Sequence, residues 1–233
     1  MADTGVKNVT PVGELHWVNI TGQGKENYNG DGYNYVATVY LEGEAAETEK
    51  KKIQDVLGPV PKGSNVKSLG YRNLVKDSEG NLRTPNKDGA VLAENEDGEE
   101  VDIVDECEKT DIWAFTYSTI TAFPDGKTKE VAVYNKDAKK ISLGDRLIGN
   151  GSVGAISGKM KRFSRGKDIG VSLFLHAIQI TKFNEYEGGA GFGTQEGEFE
   201  GVTEKESGFT GQAEGEPSDT PVAKGKAKTK PKL

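Results

Sequence analysis

One stretch alone, GEAAETEKKKIQDVLG (43–58), has the make-up of a helix: good helix formers, acids early, lysines later, and Gly58-Pro59 as a stop. The other apolar segments before residue 187 read as strands. LHWVNI (15–20) and YNYVATVYL (33–41) come first, and in the second Tyr33, Tyr35, Ala37, Val39 and Leu41 share one face at period two. IWAFTYSTITAF (112–123), a PDGKT turn and KEVAVYN (129–135) follow. RLIGNGSVGAISGKMKRF (146–163) and IGVSLFLHAIQITKF (169–183) then form a hairpin around SRGKD. Several antiparallel strands and one helix after the second predict a mainly β fold, a small closed barrel or sandwich.

Two regions stand outside this pattern. From 58 to 111 turn signals (SEGN, TPNKDG, NEDGEE) outnumber apolar runs, which predicts a long, loop-rich insertion. From 187 onward Gly, Glu, Ser, Thr and Pro replace any periodicity, which predicts a disordered tail after a domain spanning 1–186. Residues 187–220 of that tail hold nine acids against Lys205, a net −8, and 221–233 hold five lysines and no acid. Residues 112–186 carry twelve Lys and Arg against six Asp and Glu, a net +6 within a chain whose formal charge is −7. A basic strand-rich region thus precedes an acidic segment. No apolar run reaches the roughly 18 residues of a membrane span, and MADTGVKNVT has no signal-peptide pattern. A single cysteine, Cys107, agrees with a reducing compartment.

The basic character is concentrated in GKMKRFSRGK (158–167), with five cations and one ring in ten residues. On a strand, Ile156, Gly158 and Met160 alternate with Lys159, Lys161 and Phe163, so two lysines and a ring share the outer face. Arg162, Arg165 and Lys167 complete the charge. Base stacking on a ring is worth about 1–3 kcal/mol, and lysines neutralise phosphate without sequence demand, so the combination suits single-stranded nucleic acid. It also fits a solvated hairpin tip whose lysines discourage edge pairing. On the partner strand Val171, Leu173 and Leu175 fit one face while Ile178 and Ile180 have the opposite parity. A bulge near His176-Ala177 reconciles them and turns Ser172, Phe174 and His176 outward, making Phe174 a second stacking candidate. Trp17, Tyr33 and Tyr117, with the loop cations Lys67, Arg72 and Lys76, are the further candidates should the DNA face lie elsewhere.

These same residues resemble a family. AVYNKDAKKISLGDRLIGNGS, the basic-aromatic hairpin, GVSLFLHAIQI and KFNEYEGG are similar to the closing half of the single-stranded DNA-binding proteins of T-seven-like bacteriophages. An aromatic first strand, a Gly/Asn-rich loop, YNYVATVYL and a helix match the first half in order. The resemblance implies a five-stranded oligonucleotide-binding barrel, a homodimer working in the infected host's cytoplasm, and DNA replication and recombination as the setting. It implies Phe163 as a stacking ring and Lys159 and Lys161 as phosphate ligands. It also implies a C-terminal tail that contacts a phage DNA polymerase or helicase-primase, although this tail ends in KAKTKPKL rather than in acids. The rival reading is a phage structural or protein-interaction module whose basic face is incidental.

No constellation for catalysis or cofactor binding accompanies these features. His16 and His176 lie beside no nucleophile. Asp102, Asp105, Glu106, Cys107 and Glu108 match no zinc or calcium spacing, and DSEGNLRTPNKD (77–88) lacks the glycine and closing glutamate of a calcium loop. IGNGS is followed by no Lys-Ser/Thr helix and so is no phosphate loop.

Overall fold

The computed structural model describes residues 5–186 apart from 28–31, Lys87, Glu96 and Asp145. The tail of 187–233 lies outside the described residues. Five strands form a ring: β1 (Gly13–Asn19), β2 (Tyr33–Leu41), β3 (Glu108–Ile120), β4 (Ser152–Arg165) and β5 (Asp168–Lys182). β1 pairs with β2, β2 with β3, and β4 with β5 and β1, all antiparallel. A parallel bridge, Ser118 to Phe174, joins β3 to β5 and closes the barrel. The strand pattern predicts a small closed barrel or sandwich with one helix, and the family resemblance implies five strands; the fold is that closed five-stranded barrel.

Closure follows from the alternation of apolar residues. Tyr35, Ala37, Val39 and Leu41 of β2, Phe115 and Tyr117 of β3, and Ile156 and Met160 of β4 turn into one core. Val171, Leu173, Leu175, Ile178 and Ile180 join them from β5. Each Val, Leu, Ile, Phe or Met side chain among them contributes about 1.5–3 kcal/mol when fully buried. The change of parity on β5 is absorbed as expected: Ser157 pairs with Ala177 and Gly158 with Leu175, which leaves His176 as the extra residue of a bulge. Gly158 is required at this point, because a Cβ there would stand 2.1 Å from the Phe174 carbonyl oxygen.

The helix α1 (Gly43–Leu57) follows β2 and buries Ala46, Glu49, Ile53 and Leu57 on one side. It stops at Gly58: its N–H makes the last helical bond, to the Gln54 carbonyl at 2.9 Å, and its positive φ of 59° then turns the chain out of the helix. Glu49 is fully buried, and partners compensate its charge. The Tyr117 hydroxyl donates to it at 2.8 Å, the Asn8 amide donates at 2.5 Å, and Lys52 pairs with its other oxygen at 3.0 Å. Burial first, then the Glu49 charge, pushes the Tyr117 phenol well above its ordinary value.

The segment 58–111 is more regular than the loop-rich insertion expected. Asn65–Ser68 pairs with the start of β5, Tyr71–Lys76 pairs with β3, and β3 itself begins at Glu108, ahead of the Ile112 expected. Leu92–Glu94 and Glu100–Asp102 form a separate two-stranded ribbon. What reads as loop is a series of tight turns of one design. Asp77, Asn86, Asn95 and Asn135 each start a five-residue turn, and each side-chain oxygen accepts the N–H groups two and four residues on. The fourth position is left-handed and held by Gly80, Gly89 and Gly98 in three of them, but by Ala138 (φ 57°) in the last. Arg83 and the Asn81 N–H hold the Asp77 carboxyl down at a pKa of about 2, with Arg83 the larger influence.

Asp102, in the acidic cluster whose spacing matches no metal template, accepts the N–H groups of Val91 and Val104, and the Cys107 thiol donates to the Ile103 carbonyl. Among the described residues no group of three or more His, Cys, Asp and Glu side chains could hold a metal ion, and no helix is long and apolar enough to cross a membrane.

Candidate nucleic-acid interface

Two regions of the barrel's outer surface gather the candidate residues. The first is the β4–β5 hairpin, which turns at Gly166 in a left-handed conformation. Lys159 lies opposite Phe174, Lys161 opposite Ser172, and Phe163 opposite Gly170, so the expected outer row exists with its period intact. Met160 and Gly158 of the alternate set are buried. Phe174 is 40% exposed, enough to present a ring face beside Lys159. Lys161, Arg165 and Lys167 are exposed, and among the described residues none of them makes an ion pair.

Two hairpin residues are engaged by neighbouring parts of the fold. Arg162, exposed but with the parity of Met160 and so outside the row of Lys159, Lys161 and Phe163, donates at 3.1 Å to the Pro59 carbonyl just beyond the helix. Phe163 is half-buried, because its ring lies over the backbone of Gly170: a Cβ there would be 2.5 Å from the ring carbon Cζ. One face of that ring is therefore already covered.

The second region is a cleft of about 360 Å³ over β2 and β3, lined among others by Trp17, Thr38, Tyr40, Tyr71, Arg72 and Thr116. β1 and β2 stay in register from Glu14 to His16 and resume at Asn19, so the irregularity falls on Trp17 and Val18. Trp17 there has φ 52°, a left-handed backbone rare for a bulky residue, and its side chain is 66% exposed. The backbone that carries the ring is nevertheless anchored. Its N–H donates to the Asn150 side-chain oxygen at 2.9 Å, and the indole lies near enough to the Tyr40 hydroxyl to influence its titration. Tyr40 in turn stacks on His16, with centroids 3.8 Å apart and planes 12° from parallel.

Titration in the cleft follows from its burial. Burial raises the Tyr40 phenol above its ordinary value, opposed by hydrogen bonds from Trp17 and Thr84. Burial lowers the His16 imidazole below 6.5, opposed by Glu14, whose carboxylate lies 3.2 Å away. The stack is thus a neutral aromatic one at physiological pH. Arg72 supplies the positive charge at the opposite wall, its guanidinium steadied by the Pro85 carbonyl at 2.8 Å. Lys67 is exposed in an adjoining cleft that shares Tyr71 and Arg72 with the first.

Ser68 connects the two regions. It lines the Trp17 cleft, and its carbonyl oxygen and the Phe163 ring both crowd Gly170. Cations at the hairpin tip, a half-covered ring, and a cleft with an exposed indole therefore follow one another across the surface. Of the remaining candidates, Tyr33 is exposed but starts β2, pairs with Glu26 and does not line the cleft; Lys76 is exposed at the end of its strand. Tyr117 is a correction: it is fully buried, with its hydroxyl committed to Glu49, so it has no face to offer a base.

Sequence reasoning missed Tyr40 and Tyr71 as walls of the cleft, and His16 and Asn150 as the residues that support Tyr40 and Trp17 from behind it. Tyr40 was within reach of it, because the alternation that turns Val39 and Leu41 inward turns Tyr40 out. Asn150 carries no such signal, since it stands 133 residues from the N–H it accepts.

A barrel of this kind with an aromatic and cationic outer face defines a class of oligonucleotide-binding folds. No family model and no curated protein matches the chain. Among solved structures it is similar to gp2.5, a single-stranded DNA-binding protein encoded by bacteriophage T7. That similarity has 12% identity and TM-score 0.47, over 93% of this chain and 100% of that one. It is also similar to the single-stranded DNA-binding protein from bacteriophage Enc34 (10% identity, TM-score 0.43, 82% of this chain and 92% of that one). A structure of the Enc34 protein in complex with ssDNA gives 9% identity and TM-score 0.40, over 79% of this chain and 98% of that one.

Proposed function

We propose that this chain is a non-catalytic protein that binds single-stranded DNA with little base preference. The observation that supports it best is the largely exposed Trp17 indole at the mouth of the Tyr40–Arg72 cleft, joined through Ser68 to a hairpin that exposes Lys161, Arg165 and Lys167. Every base has a π-face, so an oriented indole stacks any of them, and the lysines and arginines meet phosphates without reading sequence. The resemblance of IGNGS and the last strand to phage proteins supports a finer reading. In it the protein coats and protects DNA during phage replication and recombination, acts as a homodimer in the host cytoplasm, and engages a polymerase or helicase-primase through its tail.

Titration of the full chain with fluorescently labelled oligo-dT at several salt concentrations tests the proposal. Log affinity should fall linearly with log salt, with a slope of about 0.7 per phosphate contacted. Binding that is absent, or indifferent to salt, would place the protein among interaction modules instead.

A further inference from the structure

The backbone of Trp17 is strained, and the group that holds it comes from the far end of the fold. We infer that Asn150 is a positioning residue for base stacking: its side-chain oxygen, by accepting the Trp17 N–H, holds the left-handed backbone that turns the indole out of β1. The inference rests on the stacking role proposed for Trp17.

A bulky residue in the left-handed region costs about 1–3 kcal/mol and persists only where its surroundings over-determine it. Without the left-handed residue, β1 would continue its alternation past His16, and the indole would no longer be directed by an interruption of the ladder. The Asn150 oxygen stands 2.9 Å from the Trp17 nitrogen, on the loop that leads into β4. That loop, Ile148-Gly149-Asn150-Gly151-Ser152, is itself clamped. The Asn184 amide donates to the Asn150 carbonyl at 2.6 Å, and the Asn184 carbonyl accepts the Gly149 N–H at 2.8 Å. Ser152 and Asn184 exchange two further bonds at 3.0 and 3.1 Å, and the Gly151 N–H donates to the Leu15 carbonyl at 3.2 Å.

Gly149 leaves no room for a side chain: a Cβ would meet the Tyr186 nitrogen at 3.0 Å and the Asn184 oxygen at 3.1 Å. The clamp therefore fixes where the Asn150 side chain begins, and Asn150 fixes where Trp17 points. A stacking ring whose backbone is held in place loses less freedom when a base arrives.

A double-mutant cycle in the full chain decides the matter, with labelled oligo-dT as probe at one salt concentration. Trp17→Ala is expected to weaken binding at least fivefold. Asn150→Ala should reproduce most of that loss, and the double variant should bind no more weakly than Trp17→Ala alone. A second readout needs no DNA: with Trp113→Phe, Trp17 becomes the only indole in the chain. Asn150→Ala should then lower its fluorescence anisotropy, while Asn150→Asp, which keeps the acceptor oxygen, retains it.

If Trp17→Ala weakens binding while Asn150→Ala changes neither affinity nor anisotropy, the positioning role is wrong and the cleft stands. Additive losses in the cycle overturn it in the same way. Should Asn150→Ala not fold, the comparison rests on Asn150→Asp, and loss of anisotropy in that variant overturns the inference. If Trp17→Ala binds like the parent, the cleft itself is not the stacking site and the inference falls with it.

Discussion

Under the proposed function, the hairpin tip and the Trp17 cleft would serve different halves of one task. The tip is built from consecutive residues of β4 and β5, exposes Lys161, Arg165 and Lys167, and has only the half-covered Phe163 and the outward Phe174 as rings. The cleft draws on β1, β2, β3 and residues 68–72, has Arg72 at its wall, and carries an indole whose backbone is held by Asn150. Charge can act from an untethered side chain in water, because Coulomb attraction is long-ranged and undemanding of orientation. Stacking acts only in contact and at one orientation. The more precise geometry is found where the chemistry requires it.

The largest expected effect separates charge from contact. Replacing Lys161, Arg165 and Lys167 together with Gln should flatten the log–log salt dependence by about 2 units and cost on the order of a hundredfold in affinity at 0.1 M salt. A slope unchanged from the parent, measured by titration over a decade of salt, would move the phosphate track away from the hairpin. Trp17→Ala should lose about 1–3 kcal/mol of binding with the slope preserved, the signature of stacking without charge. Loss of slope in that variant would contradict the division of labour. Phe163→Ala should fall at or below the low end of the same range, about 1 kcal/mol, because Gly170 occupies one face of its ring. A loss equal to that of Trp17 would show that the ring leaves Gly170 when DNA binds.

Acid should affect the two regions unequally. Burial depresses the His16 pKa below 6.5, so the stability that neutral His16 lends the Tyr40 stack is complete above 6.5 and is lost as pH falls through the folded value. Between pH 7.5 and a pH well below 6.5, where His16 becomes protonated, the Trp17 contribution should shrink while the salt slope expected from Lys161, Arg165 and Lys167 holds. Binding isotherms at both pH values, for the parent and His16→Phe, test this. The smallest effect lies outside both regions. Ala138 carries the left-handed position that glycine fills in the sister turns, so Ala138→Gly should stabilise the fold by about 1 kcal/mol, read by thermal melting, with DNA affinity unchanged.

The tail sharpens the comparison from the sequence side, and its role is a proposal resting on charge alone. Residues 187–220 carry −8 next to the strand that follows the basic hairpin. Truncation after Tyr186 should tighten binding at low salt if those acids compete with phosphate, and the gain should fade as salt screens over about 10 Å. Weaker binding at every salt concentration would make the tail a DNA-binding arm.

Much of this architecture is written locally. Period two assigns Lys159, Lys161 and Phe163 to one face, and conflicting parities on β5 place the bulge at His176. The helix and its stop at Gly58 follow from composition and one dipeptide. The turns between 77 and 99 were legible as turns; that they pair short strands was not, because strands of two or three residues carry too little periodicity to detect. Tyr117 shows the limit of alternation. Its β-strand position says that it shares a face with Phe115, but only the helix, by bringing Glu49 to its hydroxyl, shows that this face is inside.

The sequence by itself determined which side chains share a face, since the period of a strand is a property of the backbone alone. Tertiary structure alone decided which faces meet and which way Trp17 points. Its left-handed backbone depends on an asparagine 133 residues away, and barrel closure, which brings the loop before β4 against β1, creates that contact.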